Sequence, residues 1–501
     1  YIKTKYNIFY IQMLSFLKNI YYFAAFNKLL FSLFIGYVYF KINNKMNDYL
    51  LDVIYNDISR SGIVSIKFTQ WALSRISLLY PVKDNQPAWI DKFKNFYENC
   101  NIHSIKYTEK IFLEDFKMGI NSFLEIIGDG PIASGSIGQV YKCRMKNNNT
   151  IVAMKVIHPD IKYQIIYPRF LIKTINKIFL KLNKLNQFFI PCDINDFFYS
   201  LEKQIDLNYE YNYANEFYNK YIDNDFVIIP KPICHSSRIM ISEFEEGTFF
   251  EKLDITEYKK AKIAVLFILF IRQSFLIDGL IHADLHEGNW KVRKIDDNNY
   301  KIIIYDTGFC FRNSTSHSRK FWSSWELGDS ITLTNSFIEA IKNKLTDEKK
   351  ESIREELYNK IHCVLKKPLD ISLLISNTTT FFIEKNILLT GSIINLFIVL
   401  VLLDDLVKRY GFISNDVNEH DMIGSANMQY KVTYLNLINF CNTNKCFTEL
   451  SYYLKSIVKK NANFDNLFHN LEEVLNNNEG SHVFNQIDLK KKERESFNIS
   501  I

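Results

Sequence analysis

The hydrophobic pattern of this 501-residue chain changes texture three times. Up to Phe123 it reads as helix. Within that stretch Ile20–Phe40, IYYFAAFNKLLFSLFIGYVYF, is an apolar run of 21 residues, long enough to cross a bilayer core. Asn27 and Lys28 interrupt it, and a lysine at the centre of a span costs about 3 kcal/mol. Two arrangements stay open: a helix in or across a membrane, or a helix docked on the fold through its aromatic face. Lys18, Lys41 and Lys45 flank the run on both sides and set no orientation.

From Phe123 the pattern becomes β-rich. Gln139–Met145 and Ile151–Ile157 read as two strands joined by the polar turn KNNNT, and a small-residue loop, Pro131–Gly138 (PIASGSIG), precedes them. A further pair of strands is expected at Phe226–Pro230 and Arg238–Phe244. Helical periodicity dominates Tyr258–Leu280, strand texture returns at Tyr300–Tyr305, and helix continues to about Leu475 before a polar, charged tail. A second apolar run, Ile387–Leu403, is 17 residues long and stops at Asp404, so it reads as a buried or membrane-facing helix rather than a span. The order predicts two lobes with a cleft between them. In residue numbers this is an apolar helix and candidate membrane anchor (1–45), a helical extension (46–122), a β-rich lobe with inserted helices (123–247), a helical lobe (248–410), and a helical extension with a polar tail (411–501).

Composition narrows the classes. Hydrophobic residues at 47% and charged residues at 23% are globular values, which exclude wholesale disorder and a many-span transporter. The balance of 61 basic and 55 acidic residues leaves +6, too mild and too dispersed for a nucleic-acid footprint. None of the eight cysteines forms a CxxC, and Cys441 with Cys446 lacks a second pair to complete a zinc site, so they read as reduced structural thiols. The chain begins at Tyr1 rather than Met, which leaves room for a preceding targeting peptide.

The chemistry concentrates in HADLHEGN, His282–Asn289, and IIIYDTG, Ile302–Gly308. Asn289 lies five residues after Asp284, and Asp306 follows 22 residues after Asp284 at the end of an apolar strand. Phosphoryl transfer needs such a set: one Asp to orient or deprotonate the acceptor, and an Asn plus a second Asp to hold Mg²⁺ on the phosphates. Lys155, in the strand VAMKV, sits 17 residues after Gly138, where it can grip α- and β-phosphates under the loop Ala133, Ser134, Gly135, Ser136 and Gly138. Its acidic partner must come from a following helix. Glu210 in QIDLNYE is the best placed, with Glu202 and Glu216 as alternatives. SEFEEG, Ser242–Gly247, falls where a hinge would meet a purine, with Glu243 at its start.

These residues resemble the UbiB-type atypical kinases, also called aarF-domain-containing kinases, over roughly Asn47–Leu403. The matching segments are PIASGSIGQVY for the family's alanine-rich loop, VAMKVIHPDI for its lysine strand, and HADLHEGN for its HADPHPGN loop. QIDLNYE matches its ExD-x-x-x-E helix, which gives Glu210 the lysine-pairing role and Asp206 the middle acid. IKFTQ matches its KxGQ segment, with Lys67 and Gln70. The resemblance implies an α+β, protein-kinase-like bilobal fold with a KxGQ-type helical extension. It implies ATP and Mg²⁺ as cofactors, Lys67 as a gate, and membrane association, in mitochondria or bacterial membranes. It also implies a place in quinone or isoprenoid-lipid metabolism, such as ubiquinone biosynthesis, with an isoprenoid lipid or membrane surface as a further partner. Departures are Thr69 for the KxGQ glycine, Gln204 for the first acid of ExD, Leu285 and Glu287 for two prolines, Thr307 for the Phe of D-F-G, and Gly135 for a loop alanine. They keep two rivals in view: a pseudokinase that binds nucleotide or lipid as a scaffold, and a small-molecule phosphotransferase. The acceptor and the oligomeric state are not legible.

Overall fold

A computed structural model of the chain describes residues 2–79, 89–97, 100–182, 194–222, 224, 226–256, 259–260, 263–264, 266–267, 270–271, 274–296, 299–314, 321, 324, 329–365, 371–391, 393, 396–397 and 399–400. The expected C-terminal extension and tail, the end of the second apolar run, Cys192, Cys441 and Cys446 lie outside them. The chain divides into two units. The first comprises Tyr1–Leu185, Ile194–Asn215 and Pro230–Glu245, and the second takes the remainder.

In chain order the elements are α1 Ile2–Asn43, α2 Asp48–Ser61, α3 Ile63–Leu79, α4 Trp89–Lys94, α5 Ile105–Phe116, α6 Ile120–Phe123, β1 Leu124–Ile126, β2 Ala133–Ser134, β3 Gly138–Met145 and β4 Ile151–Ile157. Then follow α7 Ile161–Leu182, α8 Ile194–Gln204, α9 Leu207–Tyr221, β5 Val227–Ile228, β6 Pro232–His235, β7 Ile239–Glu243, β8 Leu280–His282, β9 Trp290–Lys294, β10 Tyr300–Ile304 and β11 Cys310–Arg312. Among the described residues the helices Ser330–Glu339, Asp347–Leu365 and Ile371–Glu384 complete the order.

The first unit is built on an antiparallel sheet in the order β1-β3-β4-β7-β6, with β2 on β3. Period-2 alternation along β4 sorts its side chains onto two faces. Val152, Met154 and Val156 are fully buried in a cluster with Ile111 and Phe112 of α5. On the opposite face a second cluster gathers Ile161 and Ile165 of α7, Phe198 and Leu201 of α8, Leu207 and Ala214 of α9, and Ile63 and Val64 of α3. The polar turn expected between β3 and β4 is present, with Asn149 at a left-handed φ of 60°.

Helix α1 docks one side on the unit and leaves the other exposed. Phe26 and Leu29 are buried, whereas Phe16, Leu17, Phe31, Phe34, Tyr37 and Phe40 are exposed. The two polar residues that interrupt its apolar run are both partnered: half-buried Asn27 donates to the Tyr167 hydroxyl at 2.9 Å, and Lys28, itself exposed, to buried Asp57 at 2.8 Å. Lys18 likewise pairs with Asp160 at 2.6 Å. Phe16–Asn43 is the one described helix that is long and apolar enough to cross a membrane, by length and composition only.

The second unit carries a sheet in the order β5-β10-β9 and a β8–β11 pair. Here the expected strand pairing changes. β5 does not pair with β7; it runs parallel to β10, Ile302 beside Val227, because Pro230 and Pro232 interrupt any direct hairpin. Pro232 instead opens β6, an edge strand, where a missing N–H is tolerated. The second apolar run also opens differently: Leu389 bridges Ile341 in extended backbone, and Ile387, Leu389, Leu396, Phe397, Val399 and Leu400 are buried.

One glycine fixes the approach of the loop to its sheet. A Cβ on Gly138 would lie 2.5 Å from the Val156 carbonyl oxygen across the β3–β4 ladder. Gly138→Ala is expected to destabilise the chain by about 1–3 kcal/mol in urea unfolding. A variant as stable as wild type contradicts this placement.

Candidate active site

In the first unit, the pleat that buries Met154 and Val156 turns Lys155 toward the α8–α9 side. Its Nζ donates to both carboxylate oxygens of Glu210 at 2.7 Å each. The side chains are 15% and 5% exposed, so the pair is held largely out of water. Glu210 sits in the first turn of α9. Asp206 prepares that turn: its Oδ1 accepts from Asn208 N at 3.1 Å and its carbonyl from Tyr209 N at 3.0 Å. The alternatives lie elsewhere, Glu202 against Arg169 and Glu216 against Arg312.

The small-residue loop folds back on β3 in the same unit. Ala133 is exposed, Ser134 is buried beside Gln139 in the ladder, Gly135 N donates to Gly138 O at 3.0 Å, and Ser136 lies half-buried between them. Cys100 N donates to Ser134 O at 3.1 Å, which ties the preceding segment to the loop. Lys67 on α3 lies near Cys100, where its charge opposes the burial that pushes the Cys100 thiol up to about 11. Gln70 donates to the Phe96 carbonyl at 2.6 Å. Lys67 and Gln70 thus share one neighbourhood with the segment that holds the loop.

In the second unit, His282 organises the segment His282–Asn289. Its Nε2 bonds the Tyr305 carbonyl at 3.1 Å, so that nitrogen carries the proton, and its bare Nδ1 accepts from Asp284 N at 3.2 Å. Full burial lowers its pKa, with the Asp284 carboxylate opposing, and the neutral ring that results is the form this pattern requires. Asn289 Nδ2 donates to the Asp284 carbonyl at 2.7 Å and Asn289 O accepts from Tyr305 N at 2.8 Å. The amide therefore keeps its Oδ1 as the acceptor end. Asp306 is exposed at a left-handed φ of 45° and its Oδ1 accepts from Gly308 N at 3.2 Å. A non-glycine residue in that region is uncommon, and such conformations concentrate at functional sites. Asp284, Asn289 and Asp306 are thus placed by one connected set of backbone bonds.

Among the described residues, no group of three or more His, Cys, Asp or Glu could hold a metal ion. Asn289 and Asp306 offer hard oxygen donors. That set fits Mg²⁺, which keeps waters and takes its other ligands from substrate phosphates.

Glu243 ends β7, paired with Val152, and its N–H is spent on the Lys231 carbonyl at 2.8 Å. The division between the two units falls immediately after Glu245. Gly247 is required there, since a Cβ would meet Ile303 Cδ1 at 2.8 Å. The roles of His282 and Gly247 are not visible from spacing. The strand β9 has a signal, Trp290 and Val292 alternating with Lys291 and Arg293, that the motif residues overshadow.

Residues 95–330 match the family described as the ABC1 atypical kinase-like domain. The resemblance read from the sequence is borne out: the chain carries a domain of that kind, with mixed helix and sheet content. Among curated relatives, a probable serine/threonine-protein kinase of Dictyostelium discoideum, abkC, is 31% identical over 258 residues, covering 50% of this chain and 36% of its own length. A mitochondrial ABC1 family protein of Schizosaccharomyces pombe is 23% identical, covering 50% and 42%. A probable protein kinase UbiB of Shewanella pealeana is 24% identical, covering 49% and 45%. The matched stretch spans less than half the length of each of the three.

The buried pair gives a stability test. Lys155→Met takes the ammonium away from the buried Glu210 carboxylate and is expected to cost about 3–5 kcal/mol. The double variant Lys155→Met/Glu210→Gln removes both charges and is expected to regain most of that in denaturant unfolding. A single variant no less stable than the double contradicts the pair.

Proposed function

We propose that the chain is an ATP-binding atypical kinase or ATPase of the UbiB type, its two units corresponding to the two lobes of a protein kinase. The observation that carries this reading is the Lys155–Glu210 pair, held on the strand and helix that the family pattern assigns. Lys155 takes the α- and β-phosphates, kept in place by Glu210, while the loop Ala133–Gly138 covers them with backbone groups. Asn289 and Asp306 hold Mg²⁺, which neutralises charge on the phosphates when bound. Asp284 orients the acceptor hydroxyl or water by accepting a hydrogen bond from it at its carboxylate. Glu243 marks the hinge at the purine, and Lys67 gates the nucleotide. The quinone or isoprenoid-lipid setting follows from the likeness to UbiB-type kinases, and a mitochondrial location from the Schizosaccharomyces pombe relative, named as mitochondrial.

Membrane contact is assigned to α1. Two charges of the helix are paired, Lys28 with Asp57 and Lys18 with Asp160, although Lys28 itself stays exposed, and the exposed surface of α1 is rich in Phe and Tyr. A helix docked along one side lies on a bilayer rather than across it.

Two measurements test these assignments. The protein is expected to release ADP from ATP with Mg²⁺, and Asp306→Asn or Asp284→Asn to slow that by roughly 10²–10⁴-fold. Thermal stabilisation by nucleotide without turnover favours the scaffold reading instead. Flotation with anionic vesicles is expected to carry wild type but not Phe31→Asp/Phe34→Asp, with nucleotide affinity unchanged. Equal flotation of both rules out the α1 assignment.

A further inference from the structure

A chain of neutral hydrogen bonds ends on the loop of the first unit. His158, three residues after Lys155, places its Nε2 3.0 Å from the Gly135 carbonyl. A carbonyl only accepts, so this nitrogen carries the proton. The His158 Nδ1 lies 2.8 Å from Nδ1 of His103, which must therefore donate to it. The His103 Nε2, bare in turn, accepts from the Thr108 hydroxyl at 2.9 Å, and Thr108 accepts from the Tyr141 hydroxyl at 3.0 Å. Gln139 donates to Tyr141 and, at 3.1 Å, to the His103 carbonyl, and its Oε1 accepts from His103 N at 2.8 Å.

Every proton in this series is dictated by its neighbour. Thr108 and Gln139 are fully buried and Tyr141 is 1% exposed, which keeps water from that end of the series, while the two imidazoles are half-buried. Burial lowers the pKa of both imidazoles, that of His103 to about 4, as the neutral pattern requires. A second proton on His158 would set N–H against N–H across the Nδ1–Nδ1 contact, and one on His103 would set N–H against the Thr108 hydroxyl proton.

We infer that His158 is a positioning residue for the nucleotide loop, its Nε2–H holding the Gly135 carbonyl while the series from Gln139 fixes its tautomer. The backbone bond from His158 N to Ile137 O at 2.9 Å braces the other side of the same loop, so one residue grips it twice. The loop's phosphate-facing backbone is thereby set by a ring that itself makes no nucleotide contact. This rests on the reading of Ala133–Gly138 as the nucleotide loop.

The test uses the full chain, with the KM for ATP and kcat of Mg²⁺-dependent ADP release and the unfolding midpoint measured for each variant. His158→Asn can still meet His103, but its amide is too short to reach Gly135. His158→Gln reaches that carbonyl with an N–H. The expected result is a KM raised roughly tenfold in His158→Asn, the equivalent of one lost hydrogen bond, with kcat little changed and KM restored to within about threefold in His158→Gln. Thr108→Val, which removes the donor to His103 inside the core, is expected to raise KM in the same direction and serves should His158→Asn fail to fold. A folded His158→Asn or Thr108→Val with wild-type KM, in a protein whose turnover Lys155→Met abolishes, overturns the positioning role alone. Absence of ATP binding by wild type overturns both it and the nucleotide reading.

Discussion

The buried ion pair between Lys155 and Glu210 is the constraint around which the first unit is arranged. Taking two charges out of water carries a desolvation cost that only short, paired geometry offsets. Here the ammonium meets both carboxylate oxygens at 2.7 Å. That geometry demands three things at once. The pleat of β4 must turn residue 155 away from the Val152–Met154–Val156 core. α9 must begin at the right residue, which Asp206 ensures by capping it. The helices behind must pack without displacing it, which the Phe198, Leu201 and Leu207 cluster accomplishes. A charge held this way is preorganised for an anion, because its position does not depend on the ligand.

The second unit meets a comparable demand with a neutral ring rather than an ion pair. His282 spans Asp284 N and the Tyr305 carbonyl, and Asn289 ties the same two segments from the other side. Two of the departures from the family pattern lie beside these bonds. Thr307 is buried beside Asp306, and Gln204 is buried at the end of α8. Neither replaces a residue that makes the bonds described for Lys155, Glu210, His282 or Asn289. The loss of the Phe of D-F-G therefore removes packing near the metal-loop residues without removing the backbone bonds that place them.

Legibility in the sequence followed the range of the interactions. Strong local signals were read directly: the alternation of β3 and β4 gave the elements that are found, and the HxDxxxxN spacing singled out Asp284 and Asn289 as candidates. Glu210 is set by a long-range contact, and spacing alone did not separate it from Glu202 and Glu216; the family pattern did. The β5–β10 pairing was hidden because a two-residue strand carries no periodicity, and two nearby prolines decide where it cannot pair. Lys28 counted against a lipid-facing helix in the linear sequence, and its ion-pair partner Asp57, 29 positions away, could not be read there. The hydrogen-bond series through His103 and His158 joins α5, β3 and the end of β4, so no window of sequence contains it.

The most direct measurement of the central claim is lysine acylation by an ATP acyl-phosphate probe, mapped by mass spectrometry. The amine nearest the phosphates displaces the nucleotide and keeps the acyl group. The account predicts labelling at Lys155, suppressed by excess Mg-ATP and lost when Asp306→Asn removes the metal ligand. Labelling confined to surface lysines, and insensitive to ATP, would contradict it.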